Sequence, residues 1–347
     1  MRDLIVDTAG RIFGDFCDKV LIDAAEAGTW PAELWSTLED TGLTQAAVAE
    51  DQGGGGGSLG AAMAVLFQAG RYAAPLPLAE TALAGWALAA SGCDVPSGPL
   101  TVAADGLTLT RGDSGWCLSG TARKVAWARN AGRIMVLAEC GNATYVALVD
   151  PADCAIEEGA SISGEPRDTV SCADVSLDET AVVEAADGID GEALMCLGAL
   201  GRSVLMAGAL ERISELALQY ALDRIQFGRP IAKFQAVQQN LAALAGEVAA
   251  SRRAVDVAVA AAEAGGGVLE IAVAKARVGE AAGIAAEIAH QVHGAIGFTQ
   301  EYILHHFTRR LWSWRDEFGP EGHWQTVIGR RVVAAGPDGL WPMLSGT

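Results

Sequence analysis

Positive charge is scarce in this chain: 24 Lys and Arg stand against 43 Asp and Glu in 347 residues, a formal charge of −19 at pH 7. Nucleic acid and anionic membrane surfaces repel such a protein at long range, so neither is an expected partner. Paired cysteines are missing too. The seven cysteines, at 17, 93, 117, 140, 154, 172 and 196, are scattered, odd in number and free of any Cys-x-x-Cys spacing, which favours neither a disulfide framework nor a zinc site. No metal is expected, and the compartment reads as reducing. No stretch approaches eighteen uninterrupted apolar residues, and Met1-Arg-Asp-Leu4 leads into mixed polar sequence rather than an apolar signal core. The expectation is a soluble, acidic, cytoplasmic protein, long enough to bury a large core and long for one domain.

What is present falls into three textures. Residues 1–92 carry apolar positions at helical spacing, in Leu4, Ile5, Ile12, Phe13, Phe16, Val20 and Leu21, and again in Leu34, Trp35 and Leu38. The five-glycine run 53–57 interrupts them, and Ser58 is placed to cap a helix starting at Leu59. From about Pro99 to Val183 the pattern shifts to short alternating runs, including Leu107–Thr110, Trp116–Leu118, Ile134–Leu137 and Tyr145–Val149, which predict strands. After Asp190 long Ala- and Leu-rich helices return over 192–223, 234–263 and 268–290, with a Gly265-Gly-Gly267 turn between the last two and a further helix after Gly319.

Two segments carry chemistry. Residues 224–238 run Arg224-Ile-Gln-Phe227-Gly228-Arg-Pro-Ile231-Ala-Lys-Phe234-Gln235-Ala-Val-Gln238, a charged loop feeding a helix. An arginine fork beside amide groups suits a pyrophosphate and the polar edges of a nucleotide, although a loop of this kind on its own is as well explained as a plain helix junction. The second segment, Gln291-Val-His293-Gly294-Ala295-Ile-Gly297-Phe298, follows a long helix, and its glycines allow backbone to approach a ligand closely. A histidine in such a loop more often bonds to backbone than performs chemistry.

Together these segments resemble the acyl-CoA dehydrogenase family, whose patterns run Arg-x-x-Phe-Gly-x-x-Ile-x-x-Phe-Gln-x-x-Gln and Gln-x-x-Gly-Gly-x-Gly-Phe; the departure is Ala295, where the family has glycine. The resemblance implies an α+β fold with an N-terminal helical domain (1–95), a middle β domain (96–186) and a C-terminal four-helix bundle (187–347). It implies FAD as cofactor, contacted by Arg224, Phe227, Gln235, Gln291, Gly294, Ala295 and Gly297, with an acyl-CoA substrate and an electron-transfer flavoprotein as acceptor.

The reaction of that family, α,β-desaturation of an acyl thioester, needs a carboxylate base held dry with a raised pKa. Of the two places where the family keeps one, the first falls on Gly201. The second falls on Phe318, with Glu317 one residue before it. Glu317 is therefore either a base displaced by one residue or, more readily, an acid of a solvated loop or one paired with Arg309, Arg310, Arg315 or Arg330. The thioester-bordering stretches of the β domain are not intact either: Lys124-Val-Ala-Trp127-Ala-Arg-Asn130 replaces one, and Trp127 reads as a flavin wall or, more readily, as core packing. Intact cofactor motifs with a missing base make the chain look like the short, base-lacking subunit of the heterotetrameric acyl-CoA dehydrogenases of actinobacterial sterol side-chain breakdown. The alternatives are a self-sufficient homotetramer using Glu317 and a structural subunit without flavin.

Overall fold

The computed structural model describes residues 2–345 apart from 53, 113 and 114. Helices come first: α1 (Arg2–Phe16), α2 (Lys19–Glu26), α3 (Ala32–Asp40), α4 (Leu59–Arg71) and α5 (Leu78–Ala90). The start of α4 is a correction to the expected cap. Ser58 makes no side-chain capping bond to α4; its hydroxyl instead donates to Glu263 at 2.7 Å, and that carboxylate accepts the Gly60 N–H at 2.8 Å. A charged acceptor reaching in from 203 residues away caps the helix in place of the local hydroxyl. Gly53, in the glycine run ahead of it, lies outside the described residues.

Two four-stranded sheets follow, built from β1 (Leu100–Ala103), β2 (Leu107–Gly112), β3 (Gly115–Ala126), β4 (Arg133–Cys140), β5 (Ala143–Val149), β6 (Ala155–Glu157), β7 (Arg167–Leu177) and β8 (Val182–Glu184). One has the order β1-β4-β5-β8, with β1 parallel to β4; the other is antiparallel, in the order β2-β3-β7-β6. Their alternating inward residues, among them Leu109, Leu118, Ile134, Val136 and Val170, share one apolar core.

The C-terminal part is helical: α6 (Gly191–Asp223), a two-residue-strand hairpin of β9 (Ile225–Gln226) and β10 (Arg229–Pro230), then α7 (Gln235–Glu263), α8 (Val268–His293), α9 (Leu304–Asp316) and α10 (Glu321–Ser345), kinked at Gly336. Helix α9 was not among the helices expected from periodicity; its inner face is part apolar (Phe307, Leu311, Trp314) and part charged (His306, Arg310), which blurs the hydrophobic stripe. Helix α6 is long and apolar enough to cross a membrane, yet 83% of its apolar window is buried inside the protein. Asp190 caps it by accepting the Ala193 N–H at 2.8 Å, worth about 1 kcal/mol. Where α4 crosses α6, Gly70 faces the Leu205 carbonyl and Gly208 faces the Phe67 carbonyl so closely that any side chain would overlap backbone. Paired glycines thus set how deeply α4, carrying the N-terminal helices, seats on the bundle.

Candidate functional site

The hairpin after α6 turns through Phe227 and Gly228, both with positive φ (51° and 79°), the geometry of a two-residue type I′ turn. Phenylalanine pays steric strain there, on the order of 1 kcal/mol, and gains no burial: its ring is 91% exposed. Phe234 supports the hairpin from behind, edge-on to Phe227 at 6.1 Å between centroids and with the Arg229 guanidinium 4.4 Å over its ring. Gln238 donates to the Ala232 carbonyl at 2.9 Å and fixes the loop's exit.

Across from the hairpin, α8 ends at His293. That ring is buried, its Nδ1 lies 2.7 Å from the Ala289 carbonyl and its Nε2 3.2 Å from the Tyr302 hydroxyl, and burial lowers its pKa. His293 is a neutral structural pin. Gly294 follows with φ 64° and open space where a side chain would stand. Between the two segments runs an open groove of about 910 Å³ that brings together Arg224, Phe227, Gln291, Gly294 and Ala295. Gln235 and Gly297 are not in its wall. Gln235 stands exposed on the first turn of α7, and Gly297 is buried beneath the loop, where a side chain would press on His293 and Leu304.

Two residues of this region escaped the sequence reading. Arg229 and Lys233, like Arg224, make no ion pair among the described residues, in a chain where most arginines are paired with acids. Three free cations on one loop of a protein of charge −19 form a local anion site. Their spacing along the sequence was the available signal. The groove thus offers the Arg224 cation, an amide, an aromatic tip and unobstructed backbone, with Arg229 and Lys233 on the same loop outside its wall, a donor set that fits the pyrophosphate and polar edges of a dinucleotide.

The second place of interest is the loop after α9. Glu317 is not paired with Arg309, Arg310, Arg315 or Arg330, as expected for a paired acid there. Arg167 donates to its Oε1 from Nε at 2.9 Å and from Nη2 at 2.5 Å, and Arg202 donates to its Oε2 from Nε at 2.6 Å. Burial pushes this carboxyl's pKa up, but the Arg167 and Arg202 charges beside it outweigh burial and hold it at about 2. Arg202 also grips Glu80, and Arg167 continues to Glu165, which accepts from Trp314 Nε1 at 3.0 Å and faces Arg310. Arg310 reaches Glu26, whose other partners are Arg309 and His306. An unbroken chain of alternating charges therefore links α5, α6, β7, α9 and α2.

Next to Glu317, Phe318 adopts φ 51° and lies against Gly198 so closely that a methyl there would overlap the ring; the Arg202 guanidinium sits 5.6 Å from the ring centroid. The loop is held in place by Lys275, buried on α8, which donates to the Arg315 and Gly319 carbonyls at 2.6 and 2.8 Å, and by Trp324 Nε1, which donates to the Phe318 carbonyl at 2.9 Å. Between α4, α5, α6 and Phe318 there remains a cavity of only about 30 Å³, with Gly201 and Arg202 in its wall. That is room for little more than a water molecule. Trp127, 5% exposed and in a left-handed conformation, packs edge-on against Trp30 at 6.4 Å.

Helices, two four-stranded sheets and helices again, in that order, are the architecture of a known enzyme class, and comparison with known proteins names it. Residues 2–94 match the N-terminal domain and residues 194–332 the C-terminal domain of acyl-CoA dehydrogenases. The chain belongs to the acyl-CoA dehydrogenase family. It is 29% identical over 315 residues to acyl-CoA dehydrogenase IpdE2 of Mycobacterium tuberculosis, covering 89% of this chain and 90% of that one. Its fold superposes on a chain of the ChsE4-ChsE5 complex from Mycobacterium tuberculosis with a TM-score of 0.87 at 24% identity, covering 97% of this chain and 98% of that one. A chain of the Tcur3481-Tcur3483 steroid ACAD gives a TM-score of 0.83 at 27% identity, covering 96% and 98%.

Proposed function

We propose that this chain is the cofactor-completing subunit of a heteromeric, FAD-dependent acyl-CoA dehydrogenase, and that it does not desaturate an acyl-CoA by itself. One contrast carries the reading: the groove beside Arg224 is open at about 910 Å³, whereas the space beside Gly201, where an acyl chain and base would meet, is closed to about 30 Å³ by Phe318. Bound FAD would supply the acceptor for the hydride leaving the acyl β-carbon. This chain's part is to hold it. Arg224, with Arg229 and Lys233 near by, neutralises the pyrophosphate, Gln291 offers an amide, the backbone at Gly294 and Ala295 lies against the cofactor, and the Phe227 ring covers one side and excludes water. In this reading a second acyl-CoA dehydrogenase-like subunit holds the rest of the flavin, the acyl-CoA and the base, with an electron-transfer flavoprotein as acceptor in the cytoplasm. Two of the solved structures it resembles are named as two-component assemblies, ChsE4-ChsE5 and Tcur3481-Tcur3483, which is in keeping with it.

The self-sufficient alternative needs Glu317 as base. A carboxylate shared between two arginines and held at about 2 is a poor proton acceptor at neutral pH, which counts against it. The deciding experiment measures flavin absorbance and native mass for the purified chain, alone and co-expressed with its candidate partner. Colourless protein that gains flavin and turnover only with the partner supports the proposal. A yellow homo-oligomer that oxidises acyl-CoA overturns it, and an active complex whose flavin content ignores changes in the groove points to a structural subunit.

A further inference from the structure

Two of the seven free cysteines meet: Cys154 and Cys172 bring their sulfurs to 3.5 Å. The backbone sets this approach. Strand β6 pairs antiparallel with β7 in the register Ala155↔Ser171, Ile156↔Val170 and Glu157↔Thr169, and one further step of that register puts Cys154 opposite Cys172. Cys154 is extended (φ −112°, ψ 148°) and so continues the strand; a tight turn over Pro151–Asp153, where Asp150 accepts the Ala152 N–H at 3.0 Å, feeds it in. Opposed residues of antiparallel strands stand about 4.5–5.5 Å apart at Cα, within the span of about 4.4–6.8 Å that a disulfide bridges. The two sulfurs need close by only about 1.5 Å to bond.

The pair also has the chemistry and the access. The Cys154 S–H donates to Cys172 and holds that thiol below its ordinary range, which favours the thiolate, the nucleophile of thiol oxidation. Burial alone does the opposite at Cys17, pushing it up to about 12. Cys172 is buried, but Cys154 is half-buried on the edge strand of its sheet, where a small oxidant can arrive. Asp150 and Asp153 lie beside Cys154, so a neutral oxidant is favoured over an anionic one. Between the two cysteines runs the loop that brings Glu165 to Trp314 and Arg310, and Arg167 to Glu317. Three register pairs hold β6 to β7 at the base of that loop.

We propose that Cys154 and Cys172 are a reversible oxidation site, closed by a hydroperoxide into a cross-strand disulfide that fastens the loop carrying Glu165 and Arg167. One sulfur, as thiolate, attacks the peroxide O–O bond, becomes a sulfenic acid and releases water; the other attacks the sulfenic sulfur, forms the S–S bond and expels a second water. Two thiols are oxidised, one peroxide is reduced, and the thiol hydrogens leave in the water. A small thiol reopens the bond by exchange.

The reduced protein, in the assembly in which it is isolated, is treated with hydrogen peroxide, alkylated and mapped by tandem mass spectrometry. The expected product is a chain lighter by two hydrogens with a disulfide between Cys154 and Cys172, formed at least tenfold faster than Cys93 or Cys140, both half-buried, are oxidised, and removed by dithiothreitol. Cys154→Ala and Cys172→Ala each abolish it, and Cys93→Ala leaves it intact; if Cys172→Ala, in the core, does not fold, Cys154→Ala at the edge decides the matter. Cleavage by a glutamate-specific protease after Glu158, whose side chain is 74% exposed on the loop, is expected to slow at least fivefold on oxidation of the wild-type chain and not of Cys154→Ala. Thiols that stay free in the folded protein, a disulfide between other cysteines, a product that dithiothreitol does not reduce, or cleavage as fast after oxidation as before overturns the proposal.

Discussion

Arg202 donates to Glu317 across 2.6 Å and holds Glu80 with the same guanidinium, so a single arginine of α6 joins the loop after α9 to helix α5. Residues 80, 202 and 317 belong to segments far apart in the chain. Their convergence sets the candidate catalytic carboxylate within an ion network.

Removing the carboxylate's charge tests that conversion. Glu317→Gln leaves Arg167 and Arg202 without their shared partner, and breaking a buried pair from one side costs about 3–5 kcal/mol. Urea unfolding should show a loss of that order. Turnover of the assembled complex, measured below the unfolding range, should fall less than tenfold; a loss of a thousandfold or more with flavin retained would restore Glu317 as a base.

Acid should weaken the protein through the same network. Glu317 and Glu26 are each held at about 2: burial raises both, and the arginines, together with His306 at Glu26, more than offset it. Both folded values lie below the unfolded value of roughly 4.3, so the unfolded chain takes up protons first as pH falls. Their stabilisation, on the order of 3 kcal/mol each, is fully present above about pH 5 and lost as pH falls toward 2. Denaturation curves between pH 6 and 2.5 should show this slope, and Glu26→Gln should flatten it.

Phe318 and Gly198 should behave as one unit. Gly198→Ala forces the ring out of its seat, an overpacking change of about 1–3 kcal/mol. Phe318→Ala removes the ring at a cost of about 3 kcal/mol and enlarges the cavity beside Gly201. If the contact is as close as it stands here, Gly198→Ala costs little once Phe318 is gone. Additive losses in the double variant would show that the two do not meet.

Arg224→Ala should lower flavin occupancy of the assembled complex at least tenfold at limiting FAD, because a bidentate donor to phosphate has no equivalent replacement. Lys233→Ala, further along the loop, should have a smaller effect. Absorbance at the flavin band after desalting reads both, and unchanged occupancy in Arg224→Ala would remove the groove from cofactor binding.

Much of the architecture was legible because its signals are local. Period-2 runs such as Ile134–Leu137 became strands, and the Ala- and Leu-rich stretches became α6, α7 and α8. The two motif segments were legible for the same reason: each is contiguous, and the fold sets them across one groove from each other. Gln235 and Gly297 were less so. A motif says that residues recur together, not which of them faces the groove, and helix phase turned Gln235 outward while packing against His293 buried Gly297.

The sequence by itself determined the order of elements, the net acidity and the presence of an arginine-bearing loop ahead of α7, since each follows from composition or from residues within a few turns of one another. Only the tertiary structure decided which groups Glu317 pairs with. Its neighbours come from 150 and 115 residues away, and no spacing along the chain points to either of them. The same holds for the space beside Gly201. A missing glutamate can be read from the chain, but a cavity filled by Phe318 over Gly198 exists only once two distant segments have packed, because occupancy of volume is a property of neighbours and not of spacing.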